Sequence, residues 1–379
     1  MRIVIAPDSF KECLSASNVA IAIEKGIKKV DPKAEVVSIP MADGGEGTVE
    51  ALVTATSGKI IRVESVDALS RPIGSFFGAL GNGKTAVIEM ASASGLELLT
   101  PEERNPLVTS TFGTGLLIKA AIDAGFQDII IGIGGSATND GGAGMAQALG
   151  YKLLDQNNKQ IGSGGEALKY LDHIDCSAVH PFLRSVKITV ACDVQNPLVG
   201  PSGATSVYGP QKGATPEMID ILEKGMIHYS KILQRQFGVD YSNLAGAGAA
   251  GGLGAALMAF CNAKVYSGFE LIAEVANFEQ QIGTANLVFT GEGKIDEQTV
   301  FGKTISGIAK ICKTNRVPLV ALAGMVSGNL DRLYEQGLTA AFSIANRPMT
   351  LDESKTQAAT LLSFAAEQTM RIFHNSEKK

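Results

Sequence analysis

Apolar runs and amphipathic stretches alternate along the first part of the chain. Arg2 to Ala6 and Glu35 to Ile39 are short apolar runs, whereas the stretch from about Ser15 to Val30 has the pattern of a helix. A further helix is expected to open at Gly45 to Thr48. Short apolar runs predict buried strands, and a 3.6-residue period predicts helices. Strands that alternate with helices in this way predict a parallel sheet covered by helices.

The last part of the chain repeats the alternation. Three short apolar runs, each followed by a helical stretch, lie at Asn286 to Thr290, Val317 to Ala323 and Ala340 to Ala345. The final helical stretch runs from about Leu351 to Phe373. Both ends of the chain therefore have the same α/β character and are expected to contribute to one sheet.

The middle of the chain has a different pattern. We expect a β-meander from Val66 to Met90, a helix after Gly113, strands at Asp128 to Gly132 and near Val186 to Ala191, and an irregular stretch from Asn196 to Gly213. The predicted fold class is therefore α/β with two α/β domains. One is a discontinuous Rossmann- or flavodoxin-like parallel-sheet domain of residues 1–65 and 285–379, and the other is an inserted mixed α/β domain of residues 66–284.

Composition narrows the class of protein. The 379 residues are 45% hydrophobic and 19% charged and include 43 glycines, which is typical of a soluble α/β protein with glycine-rich loops. A net charge of -5 without a basic block disfavours nucleic acid or an anionic membrane as a partner. The 5 cysteines include no CxxC pair, so we expect reduced thiols in a cytoplasm and no structural zinc. Asp8 ends the first apolar run too early for a signal peptide.

One uncharged segment, Ser242 to Ala263, could be mistaken for a membrane span. Glycine and alanine dominate it, whereas a span needs about 20 predominantly apolar residues, so we interpret it as a glycine loop that leads into a buried helix. Gly246 to Gly251 spells GxGxxG there. Because no strand precedes it, the segment is a weak dinucleotide fingerprint.

The sequence GALGNGKT at residues 78–85 matches the P-loop pattern GxxxxGK[ST]. A P-loop needs a buried strand before it and a helix that starts at its Lys and Thr. Here Asn82-Gly83 lies between two runs rich in β-branched and aromatic residues, which is a strong hairpin signal. We therefore predict a β-hairpin with Lys84 at its rim.

Other glycine-rich segments lie where a strand is expected to feed a helix: Ala42 to Thr48, Gly132 to Gly142 and Thr290 to Lys294. A fourth, Phe112 to Gly115, opens a helix. Such loops offer backbone amides to a phosphate or carboxylate. Because the loops after parallel strands gather at the carboxyl edge of the sheet, several of them are expected to line one site.

Charged residues accompany these loops. The acids are Asp43, Glu46, Asp140, Glu292 and Asp296, and the lysines are Lys11, Lys212, Lys294 and Lys303. Carboxylates beside anion-binding loops suit a Mg²⁺ ion that bridges carboxylate and phosphate, as phosphoryl transfer requires. Each acid could instead be a helix cap, and each lysine a solvated surface residue.

The sequence offers less support for two other chemistries. The four histidines, 173, 180, 228 and 374, avoid the glycine loops, and no GxSxG nucleophile elbow is present. A nicotinamide or flavin oxidoreductase is the serious rival, because Gly132 to Ala137 fits GxGxxG/A after a predicted strand and Asp155 falls about where a ribose-binding acid would lie. Asn139 and Asp140 interrupt its expected helix start. The residues alone thus leave open a small-molecule kinase and a dinucleotide oxidoreductase.

Longer motifs resemble those of the type-1 glycerate kinase family. They are DSFK (8–11), PMADGGEGT (40–48), GIGGSATNDGGAGMAQALG (132–150), ACDVQNPL (191–198), VYGPQKG (207–213), GAGAAGGLGAAL (246–257) and TGEGKIDEQTVFGKT (290–304). The resemblance runs from the first strand to the last helix. It implies ATP-dependent phosphorylation of D-glycerate and a two-domain α/β fold with a cleft between the domains. It also implies that the nucleotide is held neither by GALGNGKT nor by a GxGxxG match.

The resemblance and the chemistry of glycerate together suggest roles. Asp193 would be the general base, with Asp8 as the competing candidate, and Lys11 and the Asp43 loop would bind the substrate carboxylate. Mg²⁺ would be bound by Glu292 and Asp296. The remaining candidates for substrate or phosphate binding are Ser9, Gly44, Gly45, Gly134, Gly135, Ser136, Asn139, Asp140, Lys212, Gly291, Gly293 and Lys294. The expected product is 2-phosphoglycerate, with 3-phosphoglycerate as the alternative, and a homo-oligomer is compatible with these features.

Overall fold

The computed structural model describes residues 1–10, 13–42, 44–301 and 304–376. Its strands are β1 Arg2–Ile5, β2 Glu35–Ser38, β3 Lys59–Val66, β4 Pro72–Ala79, β5 Thr85–Glu89, β6 Asp128–Gly132, β7 Lys152–Leu154, β8 His173–Asp175, β9 Lys187–Ala191, β10 Lys264–Tyr266, β11 Leu287–Ile295, β12 Leu319–Val326 and β13 Ala340–Ser343.

The α-helices alternate with these strands along much of the chain. They are α1 Ala16–Val30, α2 Thr48–Ala55, α3 Ala91–Ser94, α4 Phe112–Asp123, α5 Ala143–Ala148, α6 Ala204–Tyr208, α7 Pro216–Phe237, α8 Ala249–Cys261, α9 Gly268–Val275, α10 Phe278–Gly283, α11 Thr304–Asn315, α12 Asp331–Gln336 and α13 Leu351–Ser376.

The chain divides into two compact units. The first unit comprises Met1–Ala42, Glu50–Ser57 and Phe269–Lys379, and the second comprises Asp43–Val49 and Gly58–Gly268. β3 belongs to the second unit because it pairs with β4 along its whole length. The chain thus passes from one unit to the other at residues different from the predicted domain boundaries near 65 and 284. The assignment of these parts as two domains stays a prediction.

The first unit is built on a five-stranded parallel sheet in the order β13-β12-β11-β1-β2. Its central strands are buried, and Ile3, Ile5 and Phe289 are all fully enclosed. α1 packs closely against α13, where a Cβ at Gly26 would lie 2.2 Å from the Ser363 carbonyl oxygen. This unit confirms the parallel sheet that the alternation at both chain ends predicts.

The second unit contains a six-stranded mixed sheet in the order β10-β9-β6-β5-β4-β3. The pairs among β10, β9, β6 and β5 are parallel, whereas β5-β4-β3 is an antiparallel meander. β7 and β8 form a separate antiparallel pair. The predicted α/β class is therefore confirmed, and β6 has the bounds that the sequence predicts.

Helices in the second unit differ in part from the expectation. The stretch Asn196 to Gly213 is not wholly irregular, because it contains α6 and a 3₁₀ turn at Pro210–Lys212. The segment Ser242 to Ala263 is a glycine loop followed by α8, as predicted, with non-helical backbone at Ala250 to Gly252. Among the described residues, no helix combines the length and apolar character needed to cross a membrane.

GALGNGKT forms the predicted hairpin. β4 and β5 pair in antiparallel register at Ala79 and Ala86, and the Gly83 N–H donates to the Leu80 carbonyl at 2.9 Å. Asn82 Oδ1 accepts from the N–H groups of Lys84 and Thr85 at 3.0 Å each. The segment after the turn is a strand instead of a helix, so the P-loop arrangement does not form.

If the chain binds ATP, as the resemblance implies, replacing Lys84 by Ala should leave both stability and ATP affinity close to wild type. Lys84 is exposed on the turn, and exposed substitutions usually change the free energy of unfolding by less than about 0.5 kcal/mol. Thermal unfolding and nucleotide titration of the variant test this. A hundredfold loss of kcat, or loss of ATP binding, would contradict the hairpin interpretation and favour a P-loop.

Candidate active site

Neighbouring parallel strands of the second unit end level with one another. Glu89 at the end of β5 pairs with Gly132 at the end of β6, and Gly132 pairs with Ala191 at the end of β9. The Cys192 N–H donates to the carbonyl of Tyr266, the last residue of β10, at 2.9 Å. The chain segments that follow these strands consequently start from one edge of the sheet, where ligands of open parallel sheets bind.

The loop that contains Gly44 and Gly45 lies against this edge. The Gly134 N–H donates to the Gly44 carbonyl at 3.0 Å. A Cβ at Gly132 would lie 2.5 Å from the Gly44 carbonyl oxygen, and a Cβ at Gly134 would lie 2.6 Å from Gly45 Cα. Gly44 itself has φ +86°, and a Cβ there would lie 2.3 Å from the Ala191 carbonyl oxygen. Two predicted glycine loops are thus brought together, with backbone packed on backbone.

Asp193 lies at the same edge. It follows β9 directly after Cys192 and is half-buried. The chain beyond it is fixed at Asn196, since Tyr208 Oη donates to Asn196 Oδ1 at 2.8 Å and the Gly248 N–H donates to the Asn196 carbonyl at 3.0 Å. The position predicted for Asp193, just past the end of a strand, is the observed one. Its role as a base stays a prediction.

The loop after β6 is fastened along its length. The Leu96 N–H donates to the Gly135 carbonyl and the Ala137 N–H to the Ser94 carbonyl, both at 2.9 Å. Thr109 Oγ1 donates to the Ala137 carbonyl at 2.9 Å. Ser136 is buried against this support. The backbone of this loop is consequently held in place before any ligand arrives.

Asp140 is fully buried and accepts hydrogen bonds from protein donors. They are the Thr111 N–H and Oγ1, the Gly142 N–H and the Gly144 N–H, at 2.8 to 3.1 Å. Burial raises the pKa of Asp140, and these donors act in the opposite direction. Donors of this kind favour the carboxylate form. Asp140 thus binds the start of α5 to the residue that precedes α4, and its predicted contact with a phosphate stays a prediction.

Lys212 and Asn139 are also buried. Lys212 is 1% exposed, and its Nζ donates to the Thr138 carbonyl at 2.7 Å. Burial lowers the pKa of Lys212 to about 7, while the negative charge of Asp140 raises it in part. Asn139 Nδ2 donates to Thr205 Oγ1 at 3.0 Å. Lys212 thus contacts the glycine loop from a separate segment, whereas Asn139 lies within the loop and is bonded to Thr205. The ligand contacts predicted for both residues stay predictions.

The end of the Gly246 to Gly251 segment packs on the loop that follows β6, at Thr138 and Gly141. A Cβ at Gly251 would lie 2.0 Å from the Thr138 carbonyl oxygen, and a Cβ at Gly252 would lie 2.8 Å from Gly141 Cα. Gly251 has φ +66° and Gly252 has φ +90°, in the left-handed region that glycine tolerates. These glycines therefore permit close packing of two loops, and the interpretation of Gly246 to Gly251 as a weak fingerprint holds.

The geometry of a dinucleotide site is missing at Gly132 to Ala137. A fingerprint loop opens directly into a helix, whereas α5 begins only at Ala143. Asp155 lies in the turn after β7, where its Oδ1 accepts from the N–H groups of Asn157 and Lys159. The acid expected on a ribose is thus engaged in its own turn, which removes the support for an oxidoreductase.

One buried acid at this edge was not predicted. Glu89 is 6% exposed, and its Oε1 accepts from the Val49 N–H at 2.7 Å, at the start of α2. Thr48 Oγ1 donates to the Gly45 carbonyl at 2.7 Å, so the end of the glycine loop is fixed from both sides. The signal for Glu89 in the sequence was a single charge that ends the otherwise apolar run of β5.

Glu46 lies in the loop that contains Gly44 and Gly45. Its pKa is raised by burial and by the neighbouring Glu97.

The first unit has its own candidate residues. β1 ends at Ile5, and the Asp8 N–H then donates to the Gly291 carbonyl at 2.8 Å. The Ser9 N–H donates to Asp8 Oδ1 at 2.6 Å. Asp8 and Ser9 therefore lie just past a strand end, as predicted, next to β11.

The expectation of a strand-to-helix loop at Thr290 to Lys294 is wrong. β11 continues to Ile295 and pairs with β12 as far as Val326, so Gly291, Glu292, Gly293 and Lys294 lie within the strand. The physical reason is close backbone packing, because a Cβ at Gly291 would lie 2.2 Å from the Leu322 carbonyl oxygen. By contrast, Phe112 to Gly115 opens a helix as predicted, because it is the first turn of α4, where Gly113 allows an approach to the Val66 carbonyl.

The two predicted metal ligands lie close in sequence and share a threonine. Thr299 Oγ1 donates to Glu292 Oε1 at 3.0 Å, and the Asp296 N–H donates to Thr299 Oγ1 at 3.1 Å. Lys294 Nζ lies 2.7 Å from Asp296 Oδ2 and is the main cause of the lowered pKa of Asp296. Within the described part of the chain, no group of three or more His, Cys, Asp or Glu forms a metal cage. Two carboxylates still suit Mg²⁺, which keeps water and phosphate oxygens as its other ligands.

Three predicted residues lie outside the described residues: Lys11, Asp43 and Lys303. The predictions for them are therefore unchanged.

Comparison with known proteins adds a family. A model described as the glycerate kinase family matches residues 3–374. A glycerate kinase of Bacillus subtilis strain 168 is 51% identical over 359 residues, 95% of this chain and 94% of that protein. A glycerate 2-kinase of Escherichia coli strain K12 is 50% identical over 354 residues, 93% of each chain. A crystal structure described as a glycerate kinase 2, from Salmonella typhimurium LT2, matches with TM-score 0.90 and 46% identity over 100% of both chains.

Proposed function

The chain belongs to the glycerate kinase family, and we propose that it transfers the γ-phosphoryl group of ATP to the 2-hydroxyl of D-glycerate. The observation that carries the proposal is the convergence of Gly44, Gly45, the loop from Gly132 and Asp193 at one sheet edge of the second unit. Glycine backbone and a carboxylate at such an edge suit a small anionic substrate with a hydroxyl to be activated.

The loop of Gly134, Gly135 and Ser136 is proposed to bind phosphate. Its backbone is fixed by the hydrogen bonds from Leu96 and Ala137, so it loses little freedom when a ligand binds. Glycine at 134 and 135 keeps side chains away from the backbone of this loop. Because the Gly134 N–H already donates to the Gly44 carbonyl, the donors proposed for phosphate oxygens are the amides of Gly135 and Ser136. The Gly44 and Gly45 loop is proposed to bind the glycerate carboxylate, and Asp43 and Lys11 remain candidates for the same role.

Asp193 is proposed to accept the proton of the reacting hydroxyl. A carboxylate can take this proton as the phosphoryl group is transferred, and phosphoryl transfer otherwise depends on positioning and charge. Glu292 and Asp296 are the residues that would hold Mg²⁺, with Ser9, Gly291, Gly293 and Lys294 nearby in the first unit. When bound, Mg²⁺ supplies positive charge that offsets the charge of the phosphate oxygens.

The 2-hydroxyl is proposed because of a relative's name. A protein called glycerate 2-kinase is 50% identical to this chain over 93% of its length. Both hydroxyls of glycerate are close together, so a small change in substrate tilt would exchange them. The proposal therefore needs a test that separates the two oxygens.

Substrate analogues that lack one hydroxyl provide this test. D-Lactate keeps the 2-hydroxyl and lacks the 3-hydroxyl, whereas 3-hydroxypropionate has the reverse pattern. We expect ADP formation with D-lactate, at a rate below that with D-glycerate because a polar group of the site is left unpaired, and none with 3-hydroxypropionate. Faster phosphorylation of 3-hydroxypropionate than of D-lactate would contradict transfer to the 2-hydroxyl.

A further inference from the structure

The buried amine of Lys212 lies beneath the loop that is proposed to bind phosphate. Lys212 belongs to a 3₁₀ turn, Pro210–Lys212, and the next residue, Gly213, has φ +89°. A Cβ at Gly213 would lie 2.3 Å from the Arg104 carbonyl oxygen, so the turn is packed tightly against a neighbouring segment. The Lys212 side chain, 1% exposed, runs inward to the Thr138 carbonyl, 74 residues away in sequence.

Because the Lys212 amine is enclosed in this way, a phosphate group of a bound ligand has no direct access to it. Lysine is rarely buried without a partner, because removing an ammonium group from water is costly. The partners here are the Thr138 carbonyl and the charge of Asp140. Both belong to the glycine-rich loop itself, so the buried amine interacts with the loop from the protein interior.

Asp140 explains why a positive charge is needed at this position. Its carboxylate is fully buried and accepts four hydrogen bonds from Thr111, Gly142 and Gly144. A buried charge that loses its counter-charge destabilises its surroundings strongly. Tyr229 is also fully buried nearby, with its ring so close to Gly141 that a Cβ there would lie 2.6 Å from it. The neutral phenol contributes no charge. Lys212 and Asp140, both within the described ranges, form no ion pair, but the Lys212 amine is bonded two residues away at the Thr138 carbonyl and both side chains are fully buried, so the two charges act on each other at a distance.

The segment that Lys212 holds follows the proposed phosphate-binding residues directly. Thr138 is two residues beyond Ser136. The same segment is fastened by Thr109 at the Ala137 carbonyl, by Thr205 at Asn139 and by the packing of Gly251 on Thr138. A shift of Thr138 would consequently be transmitted to Ser136 and Gly135.

We propose that Lys212 is a positioning residue, which holds the Gly132 to Gly142 loop in its ligand-binding shape by binding the Thr138 carbonyl and balancing the Asp140 carboxylate. The consequence for catalysis rests on the proposed function of this loop in binding ATP. The consequence for the loop itself does not depend on that function.

The first test compares Lys212→Met, which keeps the length of the side chain and removes the amine, with Lys159→Met, an exposed lysine of the same unit. Amide hydrogen exchange is measured on the full chain without substrates. In Lys212→Met we expect exchange at least about tenfold faster at residues 134–142 and little change in β4, since local opening follows the loss of local contacts. Lys159→Met should match wild type.

Steady-state kinetics provides the second readout. For Lys212→Met we expect KM for ATP to rise by about tenfold or more, with a smaller change in KM for D-glycerate, because a misplaced loop weakens the ligand that it binds. Exchange that rises equally throughout the second unit, with both KM values unchanged, would mean general destabilisation and would overturn the proposal. If wild type fails to phosphorylate D-glycerate, the proposed function is wrong, and the exchange result still decides the role of Lys212.

A double variant tests the charge balance directly and covers the case in which Lys212→Met does not fold. Lys212→Met with Asp140→Asn removes both charges and keeps the side-chain shapes. If Lys212 balances Asp140, the double variant should fold. Its amide exchange at residues 134–142 should be slower than the value obtained by adding the effects of the two single substitutions. Strictly additive losses, or a double variant less folded than either single variant, would overturn the proposal.

Discussion

Asp193→Asn is expected to lower kcat by about 10²–10⁴, the usual contribution of a general base, with little change in ATP affinity. Asn keeps the size and shape of Asp but cannot accept the proton of the substrate hydroxyl. Asp193 follows the end of β9, whose last residue Ala191 packs against Gly44, so the carboxylate is at the edge where the glycine loops meet. The measurement is steady-state kinetics with D-glycerate and ATP, together with thermal unfolding.

A purely structural Asp193 would behave differently. Asn is itself a good capping residue, so kcat and melting temperature would both stay near wild type if Asp193 only capped the following turn. Asp220→Asn, on the exposed face of α7, is the matched control and should have no effect on kcat. If Asp193→Asn retains more than about a tenth of wild-type kcat, the role of base passes to Asp8.

Gly134→Ala is expected to lower kcat/KM by about 10²-fold, because displacement of catalytic groups by about 1 Å has effects of that size. The added methyl group would lie 2.6 Å from Gly45 Cα, which is closer than two carbon atoms can approach. The two loops must separate, and the Gly134 N–H to Gly44 carbonyl bond, 3.0 Å long, would be strained or lost. Kinetics and thermal unfolding of the variant test this, and we expect a stability loss of about 1–3 kcal/mol from overpacking.

Gly162→Ala is the control for this substitution. Gly162 is exposed in the same unit, and a Cβ there would meet only Ala167 Cβ at 3.9 Å, an ordinary contact. Kinetics of Gly162→Ala should match wild type. A Gly134→Ala enzyme with normal kcat/KM would show that the contact between the two glycine loops is not needed for activity.

Local patterns in the sequence predicted much of the fold. The apolar run of β6 at Asp128–Gly132 and the hairpin at Asn82-Gly83 depend on neighbouring residues alone, and both are found as predicted. α7 was not predicted, although the sequence contains the local signals for it. Thr215 caps its start, Pro216 is its first residue, and Gly238 ends it at φ 74°. Where pattern and turn chemistry are local, the sequence therefore contains enough information.

The surroundings of the site residues could not be read in this way. Glu89 contacts the Val49 N–H, 40 residues away, and Lys212 contacts Thr138, 74 residues away. Whether a charged side chain is exposed or enclosed depends on such distant partners. The strand β11 was similarly shortened in the prediction, because Gly291 and Gly293 suggest a loop until β12 is known to pack beside them.

Identical glycine patterns had different outcomes for the same reason. The glycines at 44 and 134 allow two loops to meet at a sheet edge, whereas Gly251 lets the start of α8 pack on Thr138. Residues 78–85, which fit the P-loop pattern best, form a turn between β4 and β5. A glycine motif specifies close approach of the backbone, and only the fold determines what approaches.

Phosphorus NMR of the reaction of wild-type protein with ATP and D-glycerate tests the central claim most directly. The account predicts that a 2-phosphoglycerate resonance grows in step with ADP, and that ATP stays intact when D-glycerate is omitted. A 3-phosphoglycerate resonance would contradict transfer to the 2-hydroxyl. ATP consumption at the same rate without D-glycerate, with no phosphoglycerate formed, would contradict the proposed reaction as a whole.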